Sequence, residues 1–202
     1  MKGSESLGVT VNLKPRLFTV EEYALMIEAG VFAPDERVEL IEGEIIAVSP
    51  ANPPHASRIA RLTTVLVRLF GDTHEIRVQL PLTLGLRSEP EPDFALVRLE
   101  VADGAARHPA AADLVIEISD SSLRLDRNEK ASLYAKAGVT DYWILNLKHH
   151  RLEVRRDAWE QEDALYGWDY ATVSLHSPDQ RVSPLFAPEI VFEVCDLLGP
   201  KS

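Results

Sequence analysis

Cysteine is almost absent from this chain. Cys195 is the single one in 202 residues, which excludes an internal disulfide and suits a reducing cytoplasm. Histidine and cysteine form no cluster at ligand spacing, so a structural zinc site is not expected. There is no run of about 18 consecutive apolar residues, and Met1-Lys2-Gly3-Ser4-Glu5-Ser6 carries no apolar signal region, so neither a membrane span nor secretion is expected. Positive charge is also scarce. Lysine and arginine number 21 against 32 acidic residues, a net charge of −11. Such a chain lacks the broad basic footprint through which tight DNA binders release counterions. Internal repeats and low-complexity segments are missing too.

What is present is enough for one sizeable core. At 46% hydrophobic and 26% charged residues, the chain reads as a single domain over residues 1–202. Thr19-Val20-Glu21-Glu22 is a capping box that opens a helix ending at Gly30. Arg37 to Ile41 and Glu44 to Val48 flank Glu42-Gly43, a hairpin turn that pairs Ile41 with Glu44 and Glu39 with Ile46. A helix from about His55 to Phe70 has the stripe His55, Ile59, Leu62, Leu66, Leu69 turned inward, and Gly71 ends it. Strands are predicted at Glu75 to Leu80, Leu82 to Leu86, Asp93 to Val97, Leu114 to Ser119 and Asp141 to Leu147. Beyond Lys148, Arg151 to Arg156, Tyr170 to Leu175 and Glu189 to Val194 read as short strands that extend the sheet or cover its edge. The fold class is α/β: a mixed sheet flanked by helices, with an N-terminal helix and hairpin and a C-terminal β extension over about 157–196.

The chemistry concentrates between residues 91 and 130. Side chains alternate across a strand, so Leu114, Ile116 and Ile118 share one face while Val115, Glu117 and Ser119 share the other. Glu117 thus interrupts a strand that is otherwise apolar on both faces, and a buried carboxylate is costly unless it is paired or binds metal. Asp93 follows Pro92 and opens the buried run Phe94-Ala95-Leu96-Val97. The helix that starts near Ser121-Ser122 carries the stripe Lys130, Leu133, Tyr134, Ala137, which puts Lys130 inward and leaves Lys136 off the stripe, with Gly138 as its C-terminal cap. Two acids on rigid strand ends with a lysine nearby can hold a divalent ion beside a phosphodiester.

These residues resemble the PD-(D/E)xK nuclease superfamily and, within it, the Uma-type restriction endonuclease family. The similarity runs from about Phe18 to Arg156 through Val38 to Ile46, Ser49-Pro50, His55, Glu91-Pro92-Asp93, Glu117-Ile118-Ser119, Asp126 to Lys130 and Ala137 to Ile144. The resemblance implies a restriction-endonuclease-like core over about 18–156 and a metal-dependent endonuclease acting on DNA, with Mg2+ or Mn2+ as cofactor. It matches Asp93 and Glu117 to the metal-binding acids, with the Ile118 carbonyl as a further ligand, and it places the family's extra acid in the hairpin, where Glu39 is favoured over Glu44. The superfamily's lysine position, two residues after the second acid, holds Ser119 here; Lys130 takes its part from the next helix.

Several alternatives remain open on sequence. Glu39 could instead form a salt bridge with an arginine, and Asp126 and Lys130 could be a plain i, i+4 helix pair. His55 reads as a core or capping histidine or as a substrate contact; His149-His150 are most simply surface residues. Arg58, Arg61 and Arg68 lie on one side of their helix, and Arg124 and Arg127 flank the approach to Lys130, so Arg58 and Arg127 are candidate substrate contacts. Whatever basic surface exists is local, so DNA binding is expected to be weak and salt-sensitive, or to depend on a homodimer or a separate targeting protein. The alternative function is a non-catalytic nuclease-fold module for DNA binding or oligomerisation.

Overall fold

Capping and turn chemistry set the first elements. In the computed structural model, which describes residues 15–48, 52–102 and 107–200, Thr19 caps α1 (Val20–Glu28) through the reciprocal bonds of a capping box with Glu22. Gly30, at φ +67°, ends it. Glu42 and Gly43 both take positive φ and close the hairpin of β1 (Val38–Ile41) and β2 (Glu44–Ala47), in the predicted register. The Ser49-Pro50 match and the Met1 to Ser6 reading fall outside the described residues.

Helix α2 (Pro53–Phe70) starts earlier than predicted, with Asn52 accepting from the His55 N–H and proline in its first turn. Its buried stripe is Arg58, Leu62, Leu66 and Phe70, a strict i+4 row. Leu69 is 39% exposed, so the inward face ends on Phe70, one residue beyond the predicted stripe. Strands β3 (His74–Val78) and β4 (Phe94–Arg98) follow, then the one-turn helix α3 (Leu99–Ala102) and β5 (Leu114–Ser119). The predicted strand Leu82 to Leu86 is a loop. Its Leu82 and Leu84 N–H groups bond to the Pro90 and Ser88 carbonyls and Gly85 turns at φ +74°, which leaves no pairing for the main sheet. Leu82 and Leu84 still bury their side chains, which explains their apolar spacing.

After β5 come α4 (Leu123–Leu125), a π-helical turn at Asp126–Lys130, α5 (Ala131–Lys136) and β6 (Asp141–Asn146). The chain then forms β7 (Arg151–Glu160), β8 (Trp168–His176), β9 (Arg181–Val182), β10 (Phe192–Glu193) and α6 (Val194–Leu198). The predicted strand Glu189 to Val194 is thus mostly loop, and its last residue begins a helix. A six-stranded sheet runs β3-β4-β5-β6-β7-β8; β5 and β6 are parallel and the other neighbours antiparallel. The mixed α/β architecture is as predicted, and of the two places expected for the strands beyond Lys148, β7 and β8 take the first: they extend the main sheet.

Both faces of the sheet are covered. Leu114, Ile116 and Ile118 of β5 pack with Leu62, Leu66 and Phe70 of α2 and Leu197 and Leu198 of α6. Val115 packs with Leu133, Tyr134 and Ala135 of α5. Every residue of β5 is buried, Glu117 and Ser119 included. At about 1.5–3 kcal/mol for each large aliphatic side chain fully buried, this double cover makes the strand rigid enough to carry a carboxylate into the interior. Among the described residues no helix is long and apolar enough to cross a membrane.

Candidate active site

The acids meet where β4 and β5 part. Pairing between these strands ends at Phe94 with Ile116, so Asp93 and Ile118 lie just past the last ladder pair. The backbone groups freed there turn to side chains. Ile118 N–H donates to Asp93 Oδ2 at 2.8 Å and Asp93 N–H donates to Glu117 Oε2 at 3.2 Å. A strand residue points its N–H and C=O to the same edge, so the Ile118 carbonyl opens on the same side as Asp93. Asp93 Oδ1 lies 2.9 Å from His55 Nε2 and accepts from Gln79 Nε2 at 3.2 Å.

Lys130 comes in from the π-helical turn. Its Nζ donates to Glu117 Oε1 at 2.9 Å and to Glu39 Oε1 at 3.2 Å, and Tyr134 O–H donates to Glu117 Oε1 at 2.8 Å. The partner of Glu39 is therefore this lysine, not an arginine. Nor is Lys130 a plain helix partner of Asp126: the Asp126 carboxylate accepts from Ser122 Oγ at 2.6 Å, while Lys130 reaches across to β1 and β5. Asp126 and Lys130 are both buried, at the two ends of the π turn, a device often found where a helix bends around a functional site.

An open cavity of about 200 Å³ exposes this cluster, lined among others by Glu39, His55, Glu91, Asp93, Glu117 and Lys130. Burial pushes the Glu117 carboxyl up to about 8, against the pull of Lys130. Burial also works against the Lys130 charge, but Glu117, Glu39 and Asp126 outweigh it and hold the ammonium protonated. Asp126 and Glu91 are raised as well, chiefly by burial. Without a further cation, then, the Glu117 carboxyl favours its protonated form at neutral pH.

Two buried acids elsewhere show what a purely structural carboxylate looks like here. Asp141 accepts from Arg156 Nε and Nη2, Trp143 Nε1 and the Leu185 N–H. Glu153 accepts twice from Arg127 and once from Asn146. By contrast Glu39 meets only Lys130: its Oε1 accepts from Nζ, and its Oε2 lies 3.2 Å from the same nitrogen, outside hydrogen-bonding geometry. The carboxylates of Asp93 and Glu117 and the Ile118 carbonyl at the parting of the strands are hard oxygen donors of the kind that magnesium and manganese take. Among the described residues no three His, Cys, Asp or Glu side chains form a metal-holding group. Two carboxylates and a carbonyl are what the protein brings.

The structure brings Asp93, Glu117, Ile118, Lys130, Glu39 and His55 together. It removes Arg58, whose guanidinium is buried and donates to the Pro200 carbonyl at 2.5 Å. A Cβ on Gly199 would come within 2.8 Å of that guanidinium, so the arginine is a brace beneath the C-terminal segment and not a substrate contact. Arg61, on the same helix, pairs with Asp196 of α6. Arg127 lies in an adjoining groove, bound to Glu153. Sequence reasoning missed Gln79 and gave Tyr134 only a packing role, though Tyr134 follows Lys130 by one helical turn on the predicted stripe.

The sequence matches the family Uma2, described as "Putative restriction endonuclease", over residues 20–195. The chain belongs to this family. A solved structure similar in fold is a "putative nuclease belonging to DUF820" from Anabaena variabilis, 19% identical, with a TM-score of 0.68 over 90% of this chain and 97% of that one. No curated protein matches the sequence. Membership of Uma2 agrees with the nuclease resemblance read from the sequence, and the mixed six-stranded sheet is the fold that this neighbour shares.

Proposed function

We propose that this Uma2 protein is a metal-dependent endodeoxyribonuclease that hydrolyses phosphodiester bonds at the Asp93, Glu117 and Lys130 cluster. The observation that carries the reading is the convergence of two strand-end acids and a buried lysine on one cavity, with Glu39 as a second acid on that lysine. Magnesium or manganese held by Asp93, Glu117 and the Ile118 carbonyl would acidify a bound water and stabilise charge developing on the phosphate. Lys130 orients the attacking water or a phosphate oxygen. Glu39 and Tyr134 hold the two ends of this arrangement, one on the ammonium and one on Glu117. His55 and Gln79 fix the Asp93 carboxylate through Oδ1, the oxygen that Ile118 N–H leaves free. The net charge of −11 leaves targeting to a second copy or a separate recognition protein, and the free Cys195 suits the cytoplasm.

The test is plasmid cleavage by purified protein with magnesium, manganese or EDTA over a pH series. Glu117 must shed its proton to act as a ligand. Below about 8 the metal competes with that proton, so at subsaturating metal the rate should rise with pH, by up to about tenfold per unit, and level off above that value. At saturating metal the slope should flatten. Cleavage that persists in EDTA, or that falls as pH rises toward 8, contradicts the assignment.

A further inference from the structure

We propose that a groove adjoining the acid cavity binds the phosphodiester backbone of the nucleic acid flanking the scissile bond. This rests on the nuclease reading above and adds the residues that hold the strand. The groove, about 580 Å³, is lined by Arg124, Arg127, Asn128, Lys148 and His149. It meets the acid cavity at Asp120 and Ser121, which line both. Arg124 and Lys148, with Arg127 paired to Glu153 and Asp120 at the junction, leave this concavity locally basic on a chain carrying −11. Charges more than about 8 Å away are screened at physiological salt, so a phosphate in the groove responds to these groups and to Asp120, not to the whole chain.

Buried side chains build the groove. Glu153 is 1% exposed and accepts from Arg127 Nε at 2.9 Å, Arg127 Nη2 at 2.6 Å and Asn146 Nδ2 at 2.6 Å. The guanidinium plane is therefore fixed, with its Nη1 edge outside these bonds. Asn146, fully buried, accepts from the His149 N–H at 2.9 Å and so ties down the turn that presents Lys148 and His149. Arg124 and Lys148 are exposed. Asp120, at the junction, accepts from Asn52 Nδ2 at 2.7 Å. Cations spaced along an open groove, one of them an immobilised arginine, suit repeated phosphates better than a single small anion, which needs an enclosed pocket.

The test is binding of a short fluorescent DNA duplex to the full-length protein in EDTA, across a potassium chloride series. The Arg124→Ala, Lys148→Ala double variant should bind on the order of tenfold more weakly at low salt, and its log–log salt slope should shrink by about 2, near 0.9 for each phosphate left without its cation. The charge-preserving Arg124→Lys, Lys148→Arg pair should bind like the parent. Arg181→Ala, which removes an exposed arginine paired with Glu193, should change neither affinity nor slope. A parent that does not bind, a double variant that binds like the parent, or an equal loss in Arg181→Ala overturns the groove. Manganese-dependent hydrolysis by the parent of bis(p-nitrophenyl) phosphate, too small to reach the groove, reports on the acid cluster alone. If the parent lacks that hydrolysis while the binding results hold, the nuclease reading fails and the groove stands.

Discussion

Asp93→Asn and Glu117→Gln should each lower metal-dependent cleavage by about 10²–10³-fold or more, the scale of removing one electrostatic stabiliser of the transition state, while the fold is retained. Each change removes a negative charge and keeps a side-chain oxygen. The amide oxygen introduced at position 93 can still accept from Ile118 N–H, and the one at position 117 from Lys130 and Tyr134; the Gln79 amide and the Asp93 N–H respectively lose their acceptor. Asp141→Asn is the control. Asp141 is fully buried and bonded to Arg156, so its neutralisation should destabilise the fold and leave the metal dependence of cleavage intact. Parent-like cleavage in either site variant would sink the acid assignment.

Lys130→Met should carry a double penalty. Lys130 is the cation shared by Glu39 and Glu117, all three at most 4% exposed. Removing one partner of a buried pair costs about 3–5 kcal/mol, and proton uptake by Glu117 should soften that loss at low pH, because burial has already raised its pKa. The rate should fall by about 10²–10⁴-fold, the usual share of a positioned proton-transfer group. Ser119→Lys in the Lys130→Met background should recover part of both losses, since Ser119 shares the strand face of Glu117. Full activity in Lys130→Met would reduce the lysine to a structural cation. The split between melting temperature and rate is the informative readout.

The site is legible in the sequence where periodicity forces side chains together. A period of two puts Glu117 among apolar neighbours, the helical stripe turns Lys130 inward, and the hairpin register places Glu39 opposite Ile46 as observed. Other features leave little trace. The π turn that carries Asp126 and Lys130 is a change of hydrogen-bond register, which no residue pattern encodes. Gln79 reaches Asp93 from a residue at φ +50° just past β3, a local backbone choice without a glycine to announce it. Arg58 reads as a surface cation because its burial depends on the Pro200 carbonyl, 142 residues away. Leu82 and Leu84 imitate a strand, since the loop packs both leucines into the core without pairing to the sheet.

Anomalous diffraction from crystals soaked in manganese tests the central claim most directly. The expected result is a manganese peak bounded by the carboxylates of Asp93 and Glu117 and the carbonyl of Ile118, absent from Asp93→Asn crystals under the same soak. No peak in that cavity, or a peak held by other residues and unaffected by Asp93→Asn, would contradict the account.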